Sequence, residues 1–223
     1  MPLEPHVRFP VMCLTQDGTG IPHAEQAARL CAAGARWIQL RMKEAPRALW
    51  LEEAGAAARA CHASGALLIV NDSVEIALAS GADGAHIGGS DGAWAEARRA
   101  LGPHHILGGT VNTPAEGRRA VACASLDYAG VGPFRFTSTK RRLAPVLGWD
   151  GVRRLVAELG EIPAWVIGGV TPGDLAALRE AGAAGVAVSS SIHREGRLED
   201  NLRAFLDAWP RSEKEARVPA QLP

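Results

Sequence analysis

The stretch Gly65–Ile87, GALLIVNDSVEIALASGADGAHI, contains one complete strand–helix–strand unit. Its first apolar run, Leu67–Asn71, predicts a buried strand, and the amphipathic segment Val74–Ser80 predicts a helix. Gly81 stands where helices commonly end in a left-handed residue, and a second apolar run, Ala85–Ile87, follows it. A strand, a helix and a strand in this order imply that the two strands pair in parallel.

The same alternation of apolar runs and amphipathic segments occurs eight times along the chain. The predicted strands are Val11–Leu14, Trp37–Arg41, Leu67–Asn71, Ala85–Ile87, Ile106–Gly108, Tyr128–Val131, Ala164–Ile167 and Val186–Ser189. The predicted helices are His23–Ala33, Arg47–Ser64, Val74–Ser80, Gly92–Leu101, Pro114–Ala124, Gly151–Leu159, Pro172–Ala181 and Leu198–Trp209. We therefore predict an α/β fold, a single-domain (βα)8 TIM barrel over residues 1–209. The alternative, an open doubly wound sheet, would leave all the strands in one unclosed layer.

The composition limits the classes of partner. The 223 residues are 47% hydrophobic and their formal net charge is +0, so no basic field attracts nucleic acid or an anionic membrane. The cysteines form no CxxC pair and are predicted to be reduced thiols; they are Cys13, Cys31, Cys61 and Cys123. We find no secretory signal and no apolar run of the roughly 18 residues that span a bilayer. We expect a soluble, cytoplasmic protein with a polar, disordered tail over 210–223; whether it forms a homo-oligomer stays open.

The second predicted strand carries charge at the end where barrel enzymes place their chemistry. Alternate side chains of a strand share a face, which groups Ile38, Leu40 and Met42 on one side and Gln39, Arg41 and Lys43 on the other. We expect the apolar face to meet the helices and the polar face to point into the barrel. Two cations enclosed there are costly unless an anion joins them. The anion is either a phosphorylated ligand or a protein carboxylate such as Glu44.

Two aspartates follow the third and fourth strands. Asp72 comes directly after Asn71, and Asp91 follows a Gly-Gly-Ser segment. Because neighbouring strand ends lie roughly 5 Å apart, the two carboxylates could approach each other. Carboxylate oxygens favour Mg²⁺, which typically joins one or two carboxylates to substrate phosphates. Aspartate is also an ordinary helix N-cap, so the metal site depends on the neighbouring cations for its support.

A long segment, GPFRFTSTK, follows the sixth strand over residues 132–140, and the connection continues to about Gly148. Long ordered loops in compact domains are often lids. Thr137, Ser138, Thr139 and Lys140 suit phosphate oxygens, although a solvated loop would have a similar composition.

The last two strands are followed by small residues, Gly168–Gly169 and Ser189–Ser191. Barrels often bind a phosphate at this position through backbone N–H groups. His86, near the end of the fourth strand, either contacts substrate or is a hydrogen-bonded structural residue. The Walker A and HExxH motifs are absent from the sequence.

In these features the chain resembles the thiamine-phosphate synthase family from about Gly34 to Ser191. The matching segments, in the family's order, are WIQLRMKE (37–44), Val70–Asp72, GADGAHIGGSD (81–91), GVGPFRFTSTK (130–140), IGGV (167–170) and GVAVSSSI (185–192). The family fold is a (βα)8 barrel. The resemblance implies a Mg²⁺-dependent transferase that joins hydroxymethylpyrimidine diphosphate to thiazole phosphate and releases pyrophosphate.

The resemblance also implies roles for individual residues. The pyrimidine diphosphate would be held by Gln39, Arg41, Lys43, Asn71, Thr110 and Lys140. The thiazole phosphate would be held by Thr137, Ser138, Thr139, Gly169, Ser189 and Ser190. Mg²⁺ would be ligated by Asp72 and Asp91. The catalytic groups would be Arg41, Lys43 and Lys140, whose charges neutralise the departing diphosphate. The thiazole nitrogen would then attack the methylene cation, so no protein nucleophile is required.

Several positions depart from the family pattern. Thr110 stands at the usual serine position, and Met42, Ser73 and Ser138 also differ from the commoner residues. Asn112 stands where many members have histidine. Thiazole tautomerase, a related barrel, uses that histidine as its acid/base, and asparagine cannot titrate near neutral pH.

The tautomerase alternative therefore lacks its proton carrier. A non-catalytic barrel that binds thiamine intermediates is the second alternative. Asp72, Asp91 and Lys140 argue against it, because binding alone does not require the stabilisation of a leaving group.

Overall fold

The computed structural model of the chain describes residues 9–43, 45–88, 93–136 and 144–209. The strands are β1 (Val11–Leu14), β2 (Trp37–Leu40), β3 (Leu67–Asn71), β4 (Gly84–Ile87), β5 (Ile106–Val111), β6 (Tyr128–Val131), β7 (Ala164–Ile167) and β8 (Gly185–Val188). The helices are α1 (His23–Ala32), α2 (Arg47–Ala63), α3 (Val74–Ser80), α4 (Ala93–Leu101), α5 (Pro114–Cys123), α6 (Gly148–Leu159), α7 (Leu175–Glu180) and α8 (Leu198–Ala208). The strands pair in parallel and in sequence order, and β1 pairs with β8 to close the barrel.

The predicted (βα)8 barrel is therefore confirmed, and the open-sheet alternative is wrong. Several predicted features lie outside the described residues. They are the tail over 210–223, Glu44, Asp91, and the loop residues Thr137, Ser138, Thr139 and Lys140. In the described ranges, no helix combines the length and the apolar character needed to cross a membrane.

β5 is longer than the sequence pattern predicts, because it continues past Gly108 to Val111. Because glycine is depleted in strands, Gly108 and Gly109 indicate that the strand ends there. The structure shows why glycine is needed at this position. A Cβ atom on Gly108 would lie 2.1 Å from the ring of Tyr128 on the neighbouring strand. The absent side chain at Gly108 thus makes room for a large aromatic ring inside the barrel.

Local caps stabilise the helix ends. Thr113 caps α5 through a capping box with Glu116, and Gly81 ends α3 with a φ of 73°. The predicted helix Pro172–Ala181 is divided into a 3₁₀ turn, Pro172–Asp174, and α7. Thr171 and Asp174 form a second capping box at the start of that turn.

Two apolar layers support the strands. Ile38, Leu40 and Met42 lie in the layer between strands and helices, as the alternation in β2 predicts. A separate cluster fills the barrel interior; it contains Met12, Trp37, Ile69, Ile106, Tyr128 and Trp165. Within it, the rings of Trp37 and Trp165 meet edge to face with centroids 4.7 Å apart. This aromatic cluster forms the floor of the cavity described next.

Candidate active site

A cavity lies at the carboxyl ends of the strands, above the aromatic cluster. All the strands contribute to its lining. The predicted site residues that line it are Gln39, Arg41, Asn71, Thr110, Gly169, Ser189 and Ser190. Residues predicted for both phosphorylated substrates therefore share one cavity, whereas Lys43, which the structure also describes, is not among the residues that line it. Lining residues that the sequence did not single out for binding include Met12, Tyr128 and Trp165.

The β2 side of the cavity presents an amide and a guanidinium. Gln39 is buried, and its Nε2 lies 3.3 Å from the sulfur of Met12. Arg41 follows the last residue of β2, and its backbone N–H donates to Oγ1 of Thr15 at 3.0 Å. Asn71, on β3, is also buried. These polar groups face the cavity from adjacent strands, as the alternation of side chains requires.

Lys43 is not enclosed by the barrel, so that part of the prediction is wrong. β2 ends at Leu40, and the chain has left the barrel wall by the time it reaches Lys43, whose side chain is 44% exposed. Its Nζ lies 2.5 Å from Oδ2 of Asp72. Lys43 thus pairs with a protein carboxylate, that of Asp72, and its role towards a diphosphate stays a prediction.

Asp72 occupies an unusual backbone position directly after β3. Its φ is 61°, in the left-handed region, and its N–H donates to the carbonyl of His86 at 2.8 Å. Non-glycine residues with such angles are uncommon and cluster at functional sites. The backbone thus holds the Asp72 carboxylate at the mouth of the barrel. Among the described residues, no group of three or more His, Cys, Asp or Glu side chains forms a metal cluster.

His86 belongs to a buried hydrogen-bond network beside the cavity. Its Nδ1 lies 3.0 Å from the hydroxyl of Tyr128, and its Nε2 lies 3.0 Å from Oγ1 of Thr110. His86 is therefore both a cavity-lining and a hydrogen-bonded residue, which the sequence left open. Burial raises the pKa of the Tyr128 hydroxyl well above its ordinary value, although a hydrogen bond with Gln39 opposes this. Tyr128 thus stays a neutral hydroxyl that orients the imidazole.

The sequence carried a signal for Tyr128. It is the only tyrosine of the chain, and it opens the strand YAGV on the same face as Gly130. A Cβ atom on Gly130 would lie 3.0 Å from Cε1 of His86. Because Gly130 has no side chain, it leaves room next to Tyr128 on the inward face of β6, and the ring of His86 occupies that room.

The β7 and β8 side of the cavity is built from small residues. Gly168 and Gly169 have φ values of 99° and 66°, and both line the cavity with Ser189 and Ser190. The hydroxyl of Ser189 lies 3.4 Å from Oε1 of Gln16. The predicted phosphate-binding residues of the described chain are thus brought together.

The segment after β6 runs alongside these glycines. The N–H of Phe134 donates to the carbonyl of Ile167 at 2.8 Å, and that of Arg135 donates to Gly168 at 2.9 Å. Leu147 and Gly148, at the other end of the loop, donate back to Pro133 and Phe134 at 2.9 and 3.0 Å. The two ends of the predicted lid are therefore fastened together beside β7.

Asn112 lines the cavity where the tautomerase alternative needs a titrating group. Its side-chain Nδ2 donates to the carbonyl of Gly132, and its backbone N–H donates to Glu116 at 2.6 Å. The amide thus acts as a fixed donor to the start of the loop after β6. It cannot exchange a proton near neutral pH.

The chain is similar to known proteins over most of its length. A family model described as thiamine monophosphate synthase matches residues 11–192. A thiamine-phosphate synthase of Bacteroides fragilis is 41% identical over 187 residues, which cover 80% of this chain and 89% of that protein. One of Myxococcus xanthus is 38% identical over 210 residues, covering 93% and 95%. The solved structure of a thiamine phosphate pyrophosphorylase from Pyrococcus furiosus has a TM-score of 0.80 at 26% identity, covering 90% and 95%.

Proposed function

The chain belongs to the thiamine monophosphate synthase family and is a transferase that forms thiamine phosphate; we propose that the cavity at the mouth of its barrel holds both phosphorylated substrates at once. The first would be hydroxymethylpyrimidine diphosphate and the second a thiazole phosphate. The observation that carries this proposal is the single cavity lined by Gln39, Arg41 and Asn71 on one side and by Gly169, Ser189 and Ser190 on the other. Two sets of anion- and amide-binding groups in one cavity suit the condensation of two substrates.

The pyrimidine would lie against the β2–β5 side. Gln39 and Asn71 offer amide donors and acceptors to its ring nitrogens and amino group. Thr110, held by His86, would add a hydroxyl. Because the surrounding wall is apolar, each of these hydrogen bonds would orient the ring strongly.

The diphosphate would extend towards the cations at the strand ends. Its departure concentrates negative charge on the leaving oxygen, and a guanidinium and ammonium groups at fixed positions lower that cost. Arg41 lines the cavity, and Lys43, two residues further along the chain, pairs with Asp72. Lys140 would join them from the loop after β6. We therefore propose Arg41, Lys43 and Lys140 as the catalytic groups.

The oxygen donors at this rim fit Mg²⁺. Asp72 presents a half-exposed carboxylate on a strained backbone position, and Asp91 would supply the second carboxylate. One or two carboxylates together with substrate phosphates are the usual protein environment of Mg²⁺. When bound, the ion would neutralise part of the charge of the leaving diphosphate.

The thiazole phosphate would lie against the β7–β8 side. Ser189, Ser190 and Gly169 line the cavity there. We propose that the hydroxyls of Thr137, Ser138 and Thr139 also bind the phosphate. This arrangement would aim the thiazole nitrogen at the methylene carbon of the pyrimidine. The carbon–oxygen bond to diphosphate would break first, and the thiazole nitrogen would then give its electron pair to the methylene cation to form the carbon–nitrogen bond, so the protein contributes position and charge.

The experiment is an incubation of the protein with both phosphorylated substrates and Mg²⁺, followed by measurement of thiamine phosphate and pyrophosphate. We expect the two products in equal amounts, and none when either substrate is omitted. Folded protein that forms no thiamine phosphate from authentic substrates would contradict the proposal. The cytoplasmic location and the oligomeric state stay predictions beyond this assay.

A further inference from the structure

Arg135 and Asp174 form a bidentate ion pair that joins the loop after β6 to the turn after β7. Nη1 of Arg135 lies 2.6 Å from Oδ2 of Asp174, and Nη2 lies 2.6 Å from Oδ1. Two parallel hydrogen bonds fix a guanidinium in both distance and orientation. The pair is therefore a rigid link between two segments that border the cavity.

Asp174 is itself held from several directions. Its side chain is only 9% exposed, and its Oδ2 also accepts from the N–H and the hydroxyl of Thr171, at 2.8 and 2.7 Å. Burial opposes ionisation of this carboxyl, but the hydrogen bonds from Arg135 and Thr171 outweigh burial and lower its pKa. Asp174 is thus a fixed, charged anchor.

Arg135 uses its remaining donors on the glycines of the cavity wall. Its backbone N–H donates to the carbonyl of Gly168 at 2.9 Å, and its Nη1 donates to the carbonyl of Gly169 at 3.0 Å. The C=O and N–H of a trans peptide point in opposite directions. Engaging these two carbonyls therefore turns the N–H groups of Gly169 and Val170 away from Arg135, and both residues line the cavity.

The contact also fixes the glycine backbone by steric fit. A Cβ atom on Gly169 would lie 2.8 Å from Cβ of Arg135, and the φ of Gly169 is 66°. The guanidinium of Arg135 lies 4.3 Å from the centroid of the Phe134 ring, which restricts it further. These close contacts thus restrict both the side chain of Arg135 and the backbone of Gly169 to one conformation.

We propose that Arg135 and Asp174 are positioning residues for the second phosphate subsite. They hold the Gly168–Gly169 turn with its N–H groups aimed at the phosphate of the thiazole substrate. This inference rests on the proposed function, since it assigns the two residues to one substrate of the proposed reaction.

The test compares Arg135→Ala, Arg135→Lys and Asp174→Asn with the wild-type protein. We expect the KM for the thiazole phosphate to rise about tenfold in Arg135→Ala and Asp174→Asn, since small misplacements of binding groups have effects of this size. The KM for the pyrimidine diphosphate should stay unchanged. Arg135→Lys keeps the charge but cannot bind Asp174 and Gly169 together, so its KM should lie between those of the wild type and Arg135→Ala.

Arg29→Ala is the matched control. It removes another bidentate ion pair, with Glu199, in which the N–O distances are 2.6 and 3.1 Å, between α1 and α8. We expect it to leave both KM values unchanged. Equal changes in the two KM values of the Arg135 variants, or no change in either, would overturn the positioning role.

Calorimetric titration with the thiazole phosphate and with inorganic phosphate measures the subsite without turnover. Weaker binding in Arg135→Ala than in the wild type is expected for both ligands, with thermal unfolding confirming that each variant is folded. Wild-type protein that forms no thiamine phosphate would contradict the proposed function. Wild-type turnover together with unchanged phosphate binding in the variants would contradict only the role of Arg135 and Asp174.

Discussion

Lys43 and Asp72 form an ion pair across the ends of β2 and β3, with 2.5 Å between Nζ and Oδ2. Both side chains are nearly half exposed, and exposed ion pairs contribute little to folding stability. The pair matters because it joins a proposed diphosphate-binding cation to a proposed Mg²⁺ ligand. If Asp72 ligates Mg²⁺ as proposed, Lys43 would compete with the ion for its carboxylate when no substrate is bound.

Replacing Lys43 with methionine should strengthen metal binding and weaken catalysis. Removing a competing unit charge near a carboxylate at the surface is worth on the order of 1 kcal/mol, which is about fivefold in affinity. We expect Lys43→Met to bind Mn²⁺, a spectroscopic substitute for Mg²⁺, about fivefold more tightly without substrate. Turnover should fall about tenfold, because a cation that stabilises the leaving group is lost.

Paramagnetic resonance of bound and free Mn²⁺ measures the first effect, and product formation measures the second. Arg47→Met is the control, since Arg47 forms a similarly exposed pair with Glu75 on nearby helices. It should change neither quantity. Unaltered Mn²⁺ affinity in Lys43→Met would mean that Asp72 does not ligate the metal.

Tyr128→Phe tests the contribution of the hydrogen-bond network alone, because it leaves the packing of the aromatic cluster in place. The change keeps the ring, which meets Trp37 with centroids 5.1 Å apart, and removes the hydroxyl that pairs with Nδ1 of His86. A lost buried hydrogen bond costs about 1 kcal/mol of stability. Because His86 also orients Thr110, the KM for the pyrimidine diphosphate should rise while that for the thiazole phosphate does not.

Urea unfolding gives the stability change, and an unchanged slope would show that the unfolded state is unaltered. If the two KM values rise together, the network supports the whole barrel mouth and has no particular role for the pyrimidine.

The fold could be predicted because it depends on a pattern that every unit repeats. Apolar runs of about five residues are long enough to form one strand of the barrel, and glycines such as Gly81 end the helices between the strands. The length of β5 could not be predicted, because its two glycines are required by side chains outside the strand: Gly108 by the ring of Tyr128, and Gly109 by Leu126 and Trp94. Strand limits of this kind depend on neighbours that are distant in sequence.

The site could be predicted only where one strand or one motif carries the chemistry. The alternation in β2 correctly placed Gln39 and Arg41 at the cavity. It did not show that β2 ends at Leu40, one residue earlier than predicted, so that Lys43 is not enclosed. Nor did it show that Arg135 pairs with Asp174, 39 positions further on. Their surrounding sequence resembles a solvated loop and a helix start. The pairing exists because parallel closure brings the ends of β6 and β7 side by side.

The charged state of Asp174 should make part of the stability depend on pH. Its pKa in the folded protein is lowered, so it binds fewer protons than in the unfolded chain, where the ordinary value is about 3.9. The stabilisation is therefore fully present above the unfolded pKa and is lost as the pH falls through the folded pKa. Asp174→Asn should be less stable than the wild type at pH ~7, and the difference should shrink below pH ~4.

Thermal unfolding from neutral to acidic pH measures this difference. Glu158→Gln serves as the comparison, because Glu158 pairs with Arg118 on the exposed surface. A constant difference between Asp174→Asn and the wild type at all pH values would mean that the ionised carboxylate is not the stabilising species.

Thr15 should support the diphosphate side of the cavity through the backbone of Arg41. Thr15 is fully buried; its Oγ1 accepts from the N–H of Arg41 at 3.0 Å and lies 2.7 Å from Nδ1 of His23. Thr15→Val keeps the shape but leaves the Arg41 N–H without this acceptor, which costs about 1–3 kcal/mol. Because the strand end that carries the guanidinium then loses its anchor, we expect the KM for the pyrimidine diphosphate to rise several-fold and that for the thiazole phosphate to stay constant.

Ser80→Ala, which removes a side-chain hydrogen bond to Ala77 within α3, is the control and should change neither KM value. Steady-state kinetics, with each substrate varied in turn, measures the two KM values. A larger rise in the KM for the thiazole phosphate than in that for the pyrimidine diphosphate would contradict the proposed role of Thr15.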